Sequence, residues 1–203
     1  MHDIAIIGGG PGGYVCAIRA AQNGLSVALV EKGQLGGVCL NRGCIPTKTL
    51  AHTADVMDEA SRAAELGLII PEVRLDFARV MARKDKVVAK LRGGVGLLLR
   101  RRKVDVFSGV GTLAGTRAVE ATASDGSTAR IEARNIVIAT GSEPIAPRMF
   151  GYDGVNMLTS DDVLKLKELP ESMLIVGAGV IGCEFASIFR TFGCDVTMVD
   201  IMP

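Results

Sequence analysis

Two stretches of the chain share one order of apolar and polar residues. Each has a short apolar run, a glycine-rich turn, an amphipathic segment with helical spacing, and a second apolar run that ends at an acid. The first stretch is 4–31 and the second is 174–200. Aligning Gly8 with Gly177 needs no gap and also pairs Glu31 with Asp200. This order predicts a βαβ unit with parallel strands in each stretch.

The pattern changes twice between these units. Residues 47–103 carry apolar residues at helical spacing among lysines and arginines, which predicts helices. Examples are Val80, Val87, Val88 and Leu91. Residues 104–139 are typical of strands, and the Asp125-Gly126 pair predicts a hairpin between 118–122 and 129–138.

Each glycine-rich turn has the spacing G-x-G-x-x-G. In the first, Gly8 permits a tight turn, Gly10 lets the backbone approach a pyrophosphate, and Gly13 lets helix and strand pack closely. Pro11 suits an early helix position, at the end of the helix where phosphates would bind. Glu31 follows at a distance suited to a ribose diol. The motif alone is weak evidence, but strand, helix and acid together predict a dinucleotide site.

The second turn repeats this arrangement with Gly177, Gly179, Gly182 and Asp200. A carboxylate at the adenosine ribose accepts a 2′-hydroxyl and repels a 2′-phosphate, so Asp200 favours NAD over NADP. Two dinucleotide sites in one chain suggest two cofactors that exchange electrons, as in a flavoprotein that uses a nicotinamide.

The stretch 141–152 contains Pro144, Pro147 and several small residues, which is typical of a domain boundary. The expected fold is α/β: a Rossmann-like FAD-binding domain in 1–148, with helical and β-meander insertions, then a second Rossmann-like NAD-binding domain in 149–203. A doubly wound domain needs more than one βαβ unit. We therefore expect the second domain to be incomplete and the chain to be a fragment.

Composition and charge exclude other classes of function. The formal net charge of +1 and the absence of Trp give no reason to expect a nucleic-acid or membrane partner. The basic run 100–103 is typical of a solvated helix end. No apolar run is long enough to span a bilayer, and the first apolar strand starts too early to leave room for a signal peptide. These features predict a cytoplasmic protein, or a mature protein that has already been trimmed.

Cys39 and Cys44 lie in the segment GGVCLNRGCIPTK. In a reducing cytosol such a pair is more often catalytic or metal-binding than structural. On a straight helix the two residues would be about 7.5 Å apart along the axis, so a disulfide would need a distorted turn, for which Gly43 and Pro46 are plausible causes. Zinc and a pair of inert thiols are the alternatives.

Zinc normally takes about four ligands. The chain has only two histidines and no second cysteine pair near the first, so the ligand count argues against metal. The surrounding glycines argue against inert thiols. We expect Cys16, Cys183 and Cys194 to be buried small hydrophobic residues.

The segment GGVCLNRGCIPTK resembles the redox-active disulfide of the pyridine nucleotide-disulfide oxidoreductases, and among them that of the dihydrolipoamide dehydrogenases. The resemblance extends through ATGSEP at 139–144 and VGAGVIGCEFA at 176–186. Leu40, Asn41 and Asp200 favour lipoamide enzymes over the NADPH-dependent glutathione reductases. Mercuric reductases share much of the segment but usually carry an additional N-terminal metal-binding domain.

The resemblance implies roles for individual residues. Cys44 would face the flavin of FAD and Cys39 would exchange with the dithiol substrate. Lys48 would stand near the reactive nitrogen of the flavin, paired with Glu184 beside the nicotinamide. The implied FAD and NAD contacts are Gly8, Gly10, Pro11, Gly13, Glu31, Lys32, Gly37, Lys48, Gly111, Thr140, Gly141, Ser142, Gly177, Gly179, Val180, Ile181, Gly182, Glu184 and Asp200.

The implied activity is that of a dihydrolipoyl dehydrogenase type of oxidoreductase, which passes electrons from dihydrolipoamide through the Cys39–Cys44 disulfide and FAD to NAD+. A related disulfide or mercuric reductase is an alternative, as is a flavin-binding fragment without turnover. The implied partners are a lipoyl domain of a multienzyme complex and a second copy of the chain.

In this family the general base is a histidine from the partner subunit, in a C-terminal domain. Neither His2 nor His52 lies in a matching motif, and His52 is expected to be a surface residue. We therefore expect the base to lie outside this sequence and the 203-residue chain alone to turn over little lipoamide.

Overall fold

The computed structural model describes residues 1–146 and 150–201. Its strands are β1 (His2–Ile7), β2 (Val27–Glu31), β3 (Asp105–Ser108), β4 (Val110–Leu113), β5 (Ala118–Thr122), β6 (Thr128–Ile138), β7 (Ser172–Val176) and β8 (Asp195–Val199). Its helices are α1 (Pro11–Gln22), α2 (Gly37–Arg42), α3 (Cys44–Ser61), α4 (Phe77–Arg101), α5 (Ser160–Val163) and α6 (Val180–Phe192), with a 3-10 turn at Ala63–Leu66.

The chain packs as two compact units. The first unit consists of Met1–Arg42 and Val88–Glu143, and the second of Gly43–Val87 and Pro144–Pro203. This division follows from packing alone and does not show which cofactor either unit binds. The division into an FAD-binding domain at 1–148 and an NAD-binding domain at 149–203 therefore stays a prediction.

The first unit contains a six-stranded sheet in the order β3-β2-β1-β6-β5-β4. Strands β3, β2, β1 and β6 are parallel, and the central pair β1 and β2 consists largely of fully buried residues. Near-continuous apolar runs are what a parallel sheet covered on both faces requires. The α/β fold class predicted from the sequence is confirmed.

Strand β6 belongs to two arrangements of strands. Residues 133–138 pair with β1 in the parallel sheet, whereas residues 128–132 pair with β5 in an antiparallel meander that β4 completes. The predicted hairpin is present between β5 and β6. Asp125 accepts hydrogen bonds from the N–H and the hydroxyl of Ser127, and Gly126 has a φ of +84°.

The second unit contains the two-stranded parallel sheet of β7 and β8, with α6 between them in sequence. Its core is an aromatic cluster in which Phe189 has its ring centroid 6.3 Å from those of Phe77, Phe185 and Phe192. Leu50 and Ala54 of α3 belong to the same core, so α3 packs on α6. The predicted βαβ unit at 174–200 is confirmed.

Some predictions differ in detail from the structure. The helical region 47–103 is interrupted by an irregular stretch at 67–76, and Leu91 is exposed although Val80 and Val88 are buried. Cys194 is fully buried as predicted, whereas Cys183 is exposed and Cys16 is only half-buried, so the prediction is wrong for Cys183. Pro147 and Pro203 lie outside the described residues.

Candidate functional site

The first glycine-rich turn lies where β1 ends and α1 begins. A Cβ added at Gly13 would be 1.7 Å from the carbonyl oxygen of Gly8, and one added at Gly8 would be 2.2 Å from the carbonyl oxygen of Ala139. Gly8 has a φ of +107°. Both positions therefore exclude a side chain. Helix α1 has Pro11 at its start, no side-chain cap and no acid in its first turn, as an anion-binding helix end requires.

Glu31 closes the same turn from the end of β2. Its Oε2 accepts a hydrogen bond from the N–H of Gly9 at 2.5 Å, and its Oε1 accepts one from the N–H of Gly33 at 2.7 Å. A carboxylate has about four acceptor positions, so Glu31 keeps the capacity to accept two hydroxyl donors as well. The residues of this turn therefore fit the pyrophosphate and ribose of a dinucleotide.

The strand order places this turn at a topological switch point. β2 and β3 lie to one side of β1 and β6 lies to the other, and the N–H of Ala139 donates to the carbonyl of Ile7. Open α/β sheets bind ligands outside the carboxyl ends of the strands at this point. Thr140, Gly141 and Ser142 follow β6 there, and the backbone of Thr140 lies against Gly8.

Gly111 lies in β4 above the ends of β1 and β2. A Cβ added there would be 2.9 Å from Cγ2 of Ile7 and 3.2 Å from Cγ1 of Val30. Close packing of β4 on these strands explains this glycine within the protein itself. Its contact with FAD stays a prediction.

Helix α2, which carries Cys39, begins against the first turn. The N–H of Gly36 donates to the carbonyl of Gly9 at 2.8 Å, and a Cβ added at Gly37 would be 2.6 Å from Cα of Gly10. The side-chain amide of Asn41 donates to the carbonyls of Leu35 and Gly37 at 3.1 and 3.0 Å. The helix that carries Cys39 and the first glycine-rich turn are thus in direct contact.

The helix that contains the two cysteines is broken between them. α2 ends at Arg42, Gly43 has φ −143° and ψ −111°, and α3 begins at Cys44. The sequence predicts a distortion here, and the break is present at Gly43, whereas Pro46 lies buried within the first turn of α3. Cys39 is half-buried and Cys44 is exposed.

Lys48 of α3 and Glu184 of α6 form an ion pair within the second unit. The pairing of these two residues, which lie far apart in the sequence, is present as the resemblance implies. The Lys48 side chain is 63% exposed and that of Glu184 is 32% exposed. Exposed pairs of this kind contribute little to stability.

The second glycine-rich turn repeats the geometry of the first. A Cβ added at Gly182 would be 2.1 Å from the carbonyl oxygen of Gly177. Oδ2 of Asp200 accepts a hydrogen bond from the N–H of Ala178 at 2.5 Å. Helix α6 begins after Gly179 without a side-chain cap or an acid in its first turn, and Val180 and Ile181 there are exposed. These residues fit a second dinucleotide.

Sequence reasoning missed an ion pair at the end of α2. Nη2 of Arg42 lies 2.8 Å from Oε2 of Glu143, and Nζ of Lys32 lies 3.8 Å from Oε1 of Glu143. The hydrogen bond from Arg42 lowers the pKa of Glu143, and the charges of Arg42 and Lys32 lower it further. No local pattern indicates such a pair, because its members meet only in the folded sheet.

Comparison with known proteins agrees with this geometry. Residues 2–203 match the family described as pyridine nucleotide-disulphide oxidoreductase. The chain belongs to this family. Members of the pyridine nucleotide-disulphide oxidoreductase family use FAD and NAD.

Curated relatives are named dihydrolipoyl dehydrogenase. One from Chlorobaculum parvum is 45% identical over the whole chain, which corresponds to 43% of the relative, and one from Acholeplasma laidlawii is 42% identical over 99% of the chain and 60% of the relative. The chain thus spans about half the length of these relatives.

Two solved structures are also similar. LpdA from Mycobacterium tuberculosis is 30% identical with a TM-score of 0.91, over 97% of this chain and 44% of that one. The HOCl-induced flavoprotein disulfide reductase RclA from Escherichia coli, solved as a Cu(II) complex, is 33% identical with a TM-score of 0.82, over 98% of this chain and 42% of that one.

Among residues 1–146 and 150–201, no helix is both long and apolar enough to cross a membrane. The same part of the chain contains no group of three or more His, Cys, Asp or Glu side chains that could hold a metal ion. His52 is exposed on α3, as the sequence predicts.

Proposed function

We propose that the protein is a dihydrolipoyl dehydrogenase that oxidises dihydrolipoamide through a Cys39–Cys44 disulfide. The contact between the cysteine-bearing helix and the first dinucleotide turn is the observation that carries this proposal. α2, which carries Cys39, begins at Gly37, directly against Gly10. The proposed reactive thiol therefore lies on a helix that contacts the proposed dinucleotide site. The relatives' names supply the substrate class.

Two thiol–disulfide exchange steps at Cys39 and Cys44 would carry out the oxidation of the substrate. A thiolate of dihydrolipoamide attacks the sulfur of Cys39, a mixed disulfide forms, and the bond to Cys44 breaks so that Cys44 leaves as a thiolate. The second thiol of the substrate then attacks the substrate sulfur of the mixed disulfide and releases Cys39. The substrate becomes a disulfide, and the electron pair and protons that it loses reduce the protein disulfide.

We propose that residues 1–148 form the FAD-binding domain and residues 149–203 the start of the NAD-binding domain. Gly8, Gly10, Pro11 and Gly13 would hold the FAD pyrophosphate, with Glu31 at its ribose. The remaining proposed FAD contacts are Lys32, Gly37, Lys48, Gly111, Thr140, Gly141 and Ser142. When bound, FAD would accept an electron pair and deliver it as a hydride to NAD+.

The second turn would hold NAD through Gly177, Gly179, Val180, Ile181 and Gly182. Asp200 would accept hydrogen bonds from the ribose diol, and its charge would disfavour a 2′-phosphate.

Lys48 and Glu184 are the proposed charged pair of the reaction. The Lys48 side chain is largely exposed, and a pair of this kind contributes only about 0–1 kcal/mol to stability. A lysine held in place by Glu184 can stabilise negative charge that develops beside it. We propose this role for Lys48 and a positioning role for Glu184.

The partners and compartment are also proposals. The relatives' names support a lipoyl domain of a multienzyme complex as the source of dihydrolipoamide. The family resemblance supports a homodimer, in which the partner subunit supplies a histidine base. The sequence composition supports a cytoplasmic location.

Thiol counting tests the disulfide. The oxidised protein is treated with dihydrolipoamide, freed of it by gel filtration under argon, and titrated with a thiol reagent under denaturing conditions. We expect a gain of two thiols over untreated protein, and no gain for Cys39→Ser or Cys44→Ser. Cys183→Ser is the matched control and should still gain two. No gain in the unsubstituted protein would refute the proposal.

The absorption spectrum tests the cofactor. A flavin band in the purified protein, with a long-wavelength shoulder on mild reduction that Cys44→Ser abolishes, is the expected result. A flavin band with no shoulder in the unsubstituted protein would place the thiols away from the ring.

A reductase that works in the opposite direction is the second candidate. The similarity to the flavoprotein disulfide reductase RclA favours it. The thiol count separates the two candidates: a reductase gains its two thiols from NADH or NADPH and few from dihydrolipoamide.

A further inference from the structure

Helix α2 is too short to hold its own position. It has six residues, and isolated helices of that length are unstable in water because nucleation costs more than so few hydrogen bonds return. Its place in the first unit must therefore come from contacts outside the helix. The location of the Cys39 sulfur depends on those contacts.

The start of α2 is held by the backbone of the first turn, through the Gly36 hydrogen bond and the close approach of Gly37 to Gly10. The amide of Asn41, the residue before Arg42, ties the end of the helix back to Gly37 and to the loop that precedes the helix. Neither contact joins the end of the helix to the segment that follows β6. The helix is broken at Gly43, directly after Arg42, so α2 does not continue into α3 as one regular helix.

The ion pair of Arg42 with Glu143 attaches the last residue of α2. Glu143 lies in the irregular segment that follows β6, and β6 is hydrogen bonded to the central strand β1. The ion pair therefore joins the end of α2 to the segment that leaves this sheet. The 2.8 Å contact is a charge-assisted hydrogen bond, and the Arg42 side chain is only 35% exposed. Lys32 supplies a second positive charge on the other carboxylate oxygen.

We propose that Arg42 and Glu143 are positioning residues that fix the C-terminal end of α2 and thereby the thiol of Cys39. The inference rests on the proposed function in one respect, that Cys39 is the sulfur attacked by the substrate. The pair touches neither the substrate nor the cofactor in this role. It sets how often the end of α2 departs from its place beside Glu143.

The alkylation rate of Cys39 in the reduced protein tests the pair without requiring any enzymatic activity. Iodoacetamide labels each cysteine at a rate that rises with its exposure, and peptide mass spectrometry separates the five sites. Opening of α2 exposes the half-buried Cys39. We expect Arg42→Gln and Glu143→Gln each to raise the Cys39 rate about two- to fivefold, the range for loss of one partly exposed ion pair.

Internal and external controls separate positioning from general loosening. The rates at Cys16 and Cys194 should stay unchanged in both variants. Arg134→Gln is the matched control, because it removes another ion pair of the first unit, with Asp3 at 3.2 Å, away from α2. It should leave the Cys39 rate at the unsubstituted value.

Charge exchange identifies the partner. The double variant Arg42→Glu with Glu143→Arg should bring the Cys39 rate back towards that of the unsubstituted protein. Rates in both single variants equal to those of Arg134→Gln would overturn the proposal, and so would a double variant that labels faster than either single one. Failure of the thiol-counting experiment with a positive result here would overturn the proposed function and leave the positioning role standing.

Discussion

At the residue scale, the two glycine-rich turns show at which positions no residue larger than glycine fits. Gly13 and Gly182 occupy equivalent places, and in each a carbonyl of the first glycine fills the space where a side chain would start. The third glycine of the motif is thus required by the protein's own backbone. Gly12, in contrast, has its nearest neighbour at an ordinary 3.8 Å.

This contrast predicts opposite outcomes for neighbouring substitutions. Gly13→Ala should lower the free energy of unfolding by about 3 kcal/mol or more, because the added methyl group forces the turn and α1 apart. Gly12→Ala should be neutral or slightly stabilising, because alanine has the higher helix propensity. Urea denaturation monitored by circular dichroism measures both. Equal effects would show that the close approach at Gly13 is readily relieved.

The acids of both turns were predictable from the sequence, because each follows its glycine-rich turn at the same spacing, which is the one that the dinucleotide-binding motif requires. The ion pair of Arg42 with Glu143 was not, because it depends on which strand end lies beside α2. The exposure of Cys183 was mispredicted for a similar reason. Helical spacing shows which residues share a face but not whether that face is covered.

At the scale of elements, local chemistry was sufficient to predict the hairpin turn. Asp125 and Gly126 predict a hairpin that the structure contains, since their side-chain and backbone preferences act within the turn itself. The interruption after the 3-10 turn was missed. Gly67 ends that turn in a left-handed conformation with φ +75°, a role that a glycine among helical residues does not reveal in advance.

Helix α5 gives a pH-dependent prediction. Oδ2 of Asp162 accepts hydrogen bonds from the hydroxyl and the N–H of Thr159 and from the Tyr152 hydroxyl. The bonds from Thr159 are the main cause that lowers the pKa of Asp162 from 3.8 to about 2. Since the folded pKa is depressed, the stabilisation is fully present above pH 3.8 and is lost as the pH falls through about 2.

Denaturation at two pH values checks this sign. Asp162→Asn should unfold at a lower urea concentration than the unsubstituted protein at pH 6, and the difference should shrink as the pH approaches 2. Asp55→Asn is the control, since Asp55 is exposed on α3. A difference that grows towards low pH would contradict the assignment of the cap to the ionised carboxylate.

At the scale of the whole molecule, the α/β class and both βαβ units followed from the sequence, but the two compact units did not. Residues 43–87 belong by packing with 144–203, although the sequence suggests that they are an insertion in the preceding domain. Helical spacing identifies α3 as amphipathic. It does not say that α6 is the partner for its apolar face, since that choice is made by shape and volume in the aromatic core.

The two parallel sheets should differ in their local stability. β1 and β2 each pair on both sides and contain fully buried residues, whereas in the described structure β7 and β8 pair only with each other and expose Leu174 and Val176. We expect amides in 4–7 and 27–30 to exchange with deuterium at least about tenfold more slowly than those in 172–176 and 195–199. Hydrogen-exchange mass spectrometry gives both rates.

Strand β4 serves as an internal reference for that measurement. It lies at the edge of the six-stranded sheet and is largely exposed, so it should exchange about as fast as β7 and β8. Equal protection of β1 and β7 would show that the second sheet is stabilised as well as the first.

The hydrogen bonds from the turns to Glu31 and Asp200 have a consequence for ligand affinity. Each carboxylate accepts a hydrogen bond from the backbone of its glycine loop and so helps to fix the shape of that loop. A loop that is preorganised in this way needs little of the binding energy of a nucleotide for its own ordering. Removal of either carboxylate should therefore leave the association rate of the nucleotide unchanged and raise its dissociation rate.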